Sequence, residues 1–147
     1  MFLIDALLEK PANLPTTSKY IAMNGLIYLM TGVLFIVWPG SIQTLFRDAD
    51  FVGHEQGLMR VIGLTVTIVG WLYLFGGRSG ARQAVAASVV DRLIFVPVVL
   101  IPLALAGVFP HMLLTLAILD PLLAIGAWVL LSRKSREQLL EDSYANK

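Results

Sequence analysis

In a chain of 147 residues, 57% of them hydrophobic and only 14% charged, a soluble globular domain is excluded, because such domains carry about 25% charged residues. A net charge of +1, with lysines and arginines in short clusters between apolar runs, gives no basic face, so no nucleic-acid partner is expected. The lack of cysteine and the presence of only two histidines exclude disulfides, thiolate metal sites and thiol redox relays, and no metal site is predicted.

The opening MFLIDALLEK places Phe2, Leu3, Ala6 and Leu7 on one side of a helix and Asp5 and Glu9 on the other. That pattern predicts a segment lying on the membrane surface within residues 1–19, its helix ended by Pro11 and Pro15. An exported signal is not read here. The first apolar run starts only at Tyr20, and Val37-Trp38-Pro39 offers no small-residue cleavage site.

Four apolar runs follow, at 20–38, 57–75, 93–109 and 111–131, and predict an all-α polytopic membrane protein: one domain, an up-down bundle of four transmembrane helices. The fourth, HMLLTLAILDPLLAIGAWVLL, would cover about 31 Å, the thickness of a hydrocarbon core. The third carries Pro97 and Pro102, and its helix either starts near Leu93 or reaches back to about residue 82 through ARQAVAASVVDR. In the loop after the first run, Ile42, Leu45 and Phe46 stand at i, i+3 and i+4, which predicts one or two helical turns roofing the bundle. GGRSG at 76–80 reads as a helix stop. Ser135 and Gln138 have capping-box spacing, so 132–147 is predicted to be a short separate helix in the cytoplasmic tail.

Lys10 and Lys19, Arg78, Arg82 and Arg92, and Arg133, Lys134, Arg136 and Lys147 all fall on one side of this arrangement, against Arg47 alone on the other. Positive charge accumulates in the cytoplasm, so both termini are expected there. Trp38, Trp71, Tyr73 and Trp128 lie near the ends of their runs and read as an aromatic belt.

Asp120, in the middle of the last span, is the main anomaly. A carboxylate at that depth costs on the order of 3 kcal/mol. Ala117, Asp120, Ala124 and Ala127 are separated by 3, 4 and 3 residues, so Asp120 should face protein. The same steps run from Arg60 through Gly63, Thr67, Gly70, Leu74 and Gly77, which puts Arg60 on the glycine face of the second span. Asn24, Tyr28 and Thr31 form a polar stripe on the first span, and Gly25 and Gly32 echo Gly63 and Gly70 in a spacing that suits close helix packing.

Arg60 either pairs with Asp120 or snorkels outward to Glu55 or water. Arg92 either pairs with Asp91 at the cytoplasmic border or reaches Asp120, from which an ideal hairpin turning at Pro110 separates it by about 12 Å in depth. Asp120 itself has either a structural role in fixing helix register, helped by the carbonyl of Ala117 that Pro121 leaves free, or a functional one. His54, Glu55, Arg60 and His111 gather near the outer rim with Asp120 beneath them, a candidate ligand pocket open to the outer side.

The glycine-bearing first span ending in Pro39, GLMRVIGLTVTIVGW with Arg60 at its head, Arg92 at the head of the third span and Asp120 in the fourth resemble the small DoxX-like four-helix membrane proteins of bacteria. The likeness covers roughly residues 25–131. It implies this architecture and an accessory or quinone-related role, and transfers no catalytic residue; the expected location is the cell inner membrane. The leading expectation is a small accessory or scaffold protein that packs against itself, as a homo-oligomer, or against a larger membrane complex. A lipophilic-ligand binder for a quinone, lipid or terpenoid comes second, and a minimal proton-coupled transporter third. No catalytic motif is found, so an enzyme and a resident cofactor are not expected.

Overall fold

The computed structural model describes residues 13–145, with side chains as far as Arg133. The helices run in the order α1 (Thr16–Val37), α2 (Ser41–Phe46), α3 (Glu55–Arg78), α4 (Arg82–Leu105) and α5 (Pro110–Ala145), with no strand among the described residues. α1, α3, α4 and the Pro110–Arg133 part of α5 are the four helices long and apolar enough to cross a membrane. The expected all-α bundle of four spanning helices is therefore found, in a chain with the make-up of a multi-pass membrane protein. The predicted surface helix rests on residues 1–12, which lie outside the described residues.

Glycine determines the tightest pairing. α1 and α3 run antiparallel, with Gly25 against Gly70 and Leu74, Gly32 against Gly63 and Thr67, and Gly77 against Ser18 and Ala22. A Cβ at Gly63 would stand 2.8 Å from the carbonyl oxygen of Gly32 and 2.9 Å from the nitrogen of Ile36, closer than any side chain tolerates. In lipid, where no hydrophobic force drives helices together, such backbone approach is what holds a pair. The echo between the first two spans is thus one seam read from both sides.

Several helix ends differ from the sequence expectation. α1 begins at Thr16 rather than Tyr20, directly after Pro15, and Thr17 and Ser18 are already buried. α3 passes through Gly76 and Gly77, because Gly77 is a packing site, and stops only before Gly80 at φ +71°. α4 does reach back to Arg82, as Arg82–Val90, a π-helical turn at Asp91–Phe95, and Val96–Leu105. It ends at Leu105, before Gly107 with φ +88° and Phe109 with φ 38°. The tail is not a separate helix: α5 continues to Ala145, so Ser135 lies inside it rather than at a cap.

Two apolar clusters close the bundle at its ends. Near α2, Phe35, Ile42, Met59, Ala104, Met112 and Leu113 pack together. Ile42 is fully buried there while Leu45 is exposed, so α2 roofs this end through one face only. At the opposite end, where α1 starts and α5 leaves the bundle, Ile21, Val85, Val89, Ala124 and Ala127 form the second cluster. α5 takes its N-terminal cap from far away in sequence: the Asp48 carboxylate accepts from the backbone N–H of His111 and of Met112, both at 2.9 Å, and contacts His111 Nδ1 at 2.9 Å.

Candidate functional site

Between the two clusters the bundle is hollow. A cavity of about 650 Å³ is walled by α1 (Ile27, Thr31, Phe35), α3 (Leu58, Ile62, Thr65, Val66, Val69), α4 (Phe95, Val96, Val99, Leu100, Leu103) and α5 (Leu116, Leu119, Leu123). Its size lies within the range of small-molecule sites. Polar groups concentrate on its floor, where Tyr28, Tyr73, Asp91, Arg92 and Asp120 all line it. Glu55, Val108 and Phe109 line it too, toward the α2 end.

The π-helical turn helps to set this floor. In this widened turn of α4 Arg92 points inward, at 1% exposure, while Ile94 stays exposed. Such turns recur at functional sites because they re-aim one side chain without ending the helix. Tyr28 Oη donates to Asp120 Oδ1, and Tyr73 Oη donates to Asp91 Oδ2 at 2.6 Å. The two rings meet edge to face with centroids 5.6 Å apart. Arg92 lies over both, its Cζ 4.4 Å from the Tyr73 centroid and 4.9 Å from that of Tyr28. None of its three side-chain nitrogens makes a well-formed hydrogen bond, although the Tyr73 hydroxyl lies within the guanidinium's reach.

Magnitudes show what is incomplete. Each desolvated cation–π contact is worth about 2 kcal/mol, whereas dehydrating an ion costs several kcal/mol even after relaxation. The nearby carboxylates Asp91 and Asp120 offset part of the difference by their charge. The N–H donors of Arg92 remain without a well-formed bond, on the floor of an apolar cavity.

Of the residues expected at a site, Asp120, Tyr28, Arg92 and Glu55 line the cavity. Glu55 Oε2 is occupied by the backbone N–H of Val52 at 2.7 Å. Asn24 is buried with both side-chain polar atoms unpartnered, but does not line the cavity. His54 and His111 are exposed and do not line it.

Arg60 is also exposed, and among the described residues it has no ion pair. Steps of 3 and 4 average 3.5 residues, and on a straight helix such a row drifts about 20° per heptad. By the level of Arg60 the inward direction has passed to Met59, which is fully buried. The interfacial reading of Asp91 and Arg92 fails as well, because Arg92 is buried and Asp91 is bonded to Tyr73 instead.

The depth gap between Arg92 and Asp120 was overstated because α4 and α5 do not meet in a tight turn at Pro110. Four residues, 106–109, lie between the helices. Counted from the true ends at Leu105 and Pro110, the offset is about 4.5 Å at 1.5 Å per residue. Tyr73 and Asp91 are the site residues that sequence reasoning missed. Their position near the ends of apolar runs pointed to the interface, and only the pairing of helices shows that they meet.

Among the described residues no group of three His, Cys, Asp or Glu side chains is placed to hold a metal ion. The arrangement offers fixed donors and acceptors beneath an apolar chamber. No family model, curated protein or solved structure matches the chain.

Proposed function

We propose that this chain is a membrane protein that binds a lipophilic small molecule, with the ligand's apolar body in the central cavity and its polar end on the Tyr28–Tyr73–Asp91–Arg92–Asp120 floor. The single observation that carries the reading is Arg92: a fully buried guanidinium facing an apolar cavity with none of its nitrogens in a well-formed hydrogen bond. Buried polar groups in native proteins nearly always have partners, and an exception calls for one. This reading moves ahead of the accessory or scaffold role because the glycine seams, which a scaffold would offer to a partner helix, are already filled by the pairing of α1 with α3.

The same proposal includes the inner membrane, both termini cytoplasmic on the strength of the lysine and arginine distribution, and membership of the DoxX-like group on the glycine-bearing first span ending in Pro39, the run headed by Arg60, Arg92 and Asp120. It assigns no enzymatic step. A quinone, a lipid or a terpenoid all fit the coarse description.

Native mass spectrometry of the protein extracted from its own membrane in mild detergent tests it. One lipophilic adduct per chain is the expected result. A larger protein assembly with no adduct would return the accessory reading to first place.

A further inference from the structure

A guanidinium is a planar fork of five N–H donors with no acceptor. At Arg92 the contacts with the Tyr28 and Tyr73 rings meet its charge but employ none of those donors in a well-formed bond to oxygen. One oxygen of each neighbouring carboxyl group is engaged by a tyrosine, Asp120 Oδ1 by Tyr28 and Asp91 Oδ2 by Tyr73, and no hydrogen bond joins either group to the guanidinium. A ligand that brings an acceptor can therefore meet the fork directly.

Charge narrows the choice. The floor holds one cation and two carboxyl groups, and in a medium of low dielectric a further anion would be repelled by the carboxylates and would also have to be stripped of water. A neutral acceptor meets neither penalty. The route of entry points the same way. α3 and the Val96–Leu105 stretch of α4 make at most a weak contact with each other, and Leu58, Ile62, Phe95 and Val99, which line the cavity from both sides of that gap, are exposed at 59%, 38%, 62% and 55%. In a bilayer this gap faces hydrocarbon, through which a neutral lipid passes and a charged head group does not. From Arg92 to Leu103 the cavity follows α4 for about 16 Å at 1.5 Å per residue, room for an extended alkyl or isoprenoid chain.

Resting on the ligand-binding reading above, we infer that the ligand is a long-chain lipid with an uncharged carbonyl head, received by the N–H groups of Arg92 and admitted sideways between α3 and α4.

Three probes of matched chain, methyl palmitate, palmitate and hexadecane, presented to the full-length protein in lipid nanodiscs, separate this inference from the reading beneath it. Methyl palmitate is expected to bind once per chain and about tenfold more tightly than either of the others, the factor that one hydrogen bond to a charged donor supplies. Arg92→Lys keeps the charge but not the fork, and is expected to bring the ester close to hexadecane while leaving hexadecane unchanged. Palmitate binding as well as the ester would overturn the neutral head, and ester and alkane binding equally to the wild-type chain would overturn Arg92 as its receiver; both results leave ligand binding standing. Binding of none of the three would overturn this inference, while the ligand-binding reading would still be decided by the adduct in native mass spectrometry. The wild-type series decides the matter even if the Arg92 variant does not fold.

Discussion

At the scale of single residues, the bundle depends on a few polar bonds made between distant parts of the chain. Asp48 is the clearest. Its buried carboxylate accepts two backbone N–H groups at the start of α5, where the helix dipole also favours negative charge. Asp48→Ala should lower stability by about 1–2 kcal/mol, and Asp48→Asn, which keeps an acceptor, by less; thermal unfolding in detergent measures both. The tyrosines make a second comparison. Tyr28 donates to a carboxylate buried in the bundle, Tyr20 to the Leu123 carbonyl at 3.2 Å, an oxygen that helix geometry already serves. Tyr28→Phe should therefore cost about 1.5–3 kcal/mol and Tyr20→Phe about 1 kcal/mol or less. Equal losses in the two variants would mean that the Asp120 bond has no special weight. Asp120 itself was legible in the sequence, because a carboxyl group mid-span on a stripe of alanines has to face protein. Its bond to Tyr28 was not, because nothing in either helix alone says that α1 and α5 meet at that level.

At the scale of elements, the α1–α3 pair and the π-helical turn of α4 do different work. The pair is rigid because backbone meets backbone; its glycines have no room to give. Gly70→Ala would drive a methyl group into the backbone of Leu29 and Gly25 and should cost about 3 kcal/mol or more, at the upper end of overpacking penalties because no flexible side chain can move aside. Gly57 is the control. It lies in the first turn of α3 with nothing within 4 Å of a Cβ, so Gly57→Ala should leave stability unchanged or raise it by about 0.5 kcal/mol. Denaturation of the two variants side by side in one detergent decides between a packing role for the glycines and a merely compositional one. The seven-residue glycine spacing announced this seam in the sequence. The π-helical turn had no such signal, since widening a turn by one residue depends on what the neighbouring helices need from Arg92 and not on local propensity.

At the scale of the whole molecule, span count and helix class follow from apolar run length alone, which is why they were legible: no other backbone arrangement satisfies its own hydrogen bonds over such a length except a closed barrel. The hollow was not legible. It arises because α3 packs tightly on α1 and stands off from the Val96–Leu105 half of α4, a difference between two interfaces that no single helix encodes. If that hollow is the ligand site, filling it should abolish binding without harming the fold. Val66, on the α3 wall, stands about two turns along that helix from Tyr73 and the floor. Val66→Trp places an indole in the void, and a void that gains contacts stabilises the unliganded protein rather than straining it. The wild-type chain, titrated with its own membrane lipid extract, should gain about 2.7 kcal/mol of stability when the bound component reaches 100 times its Kd. The Val66→Trp chain should start from equal or higher stability, gain nothing from the extract and lose its adduct in native mass spectrometry. A Val66→Trp chain that kept both the adduct and the gain would place the ligand somewhere other than this cavity.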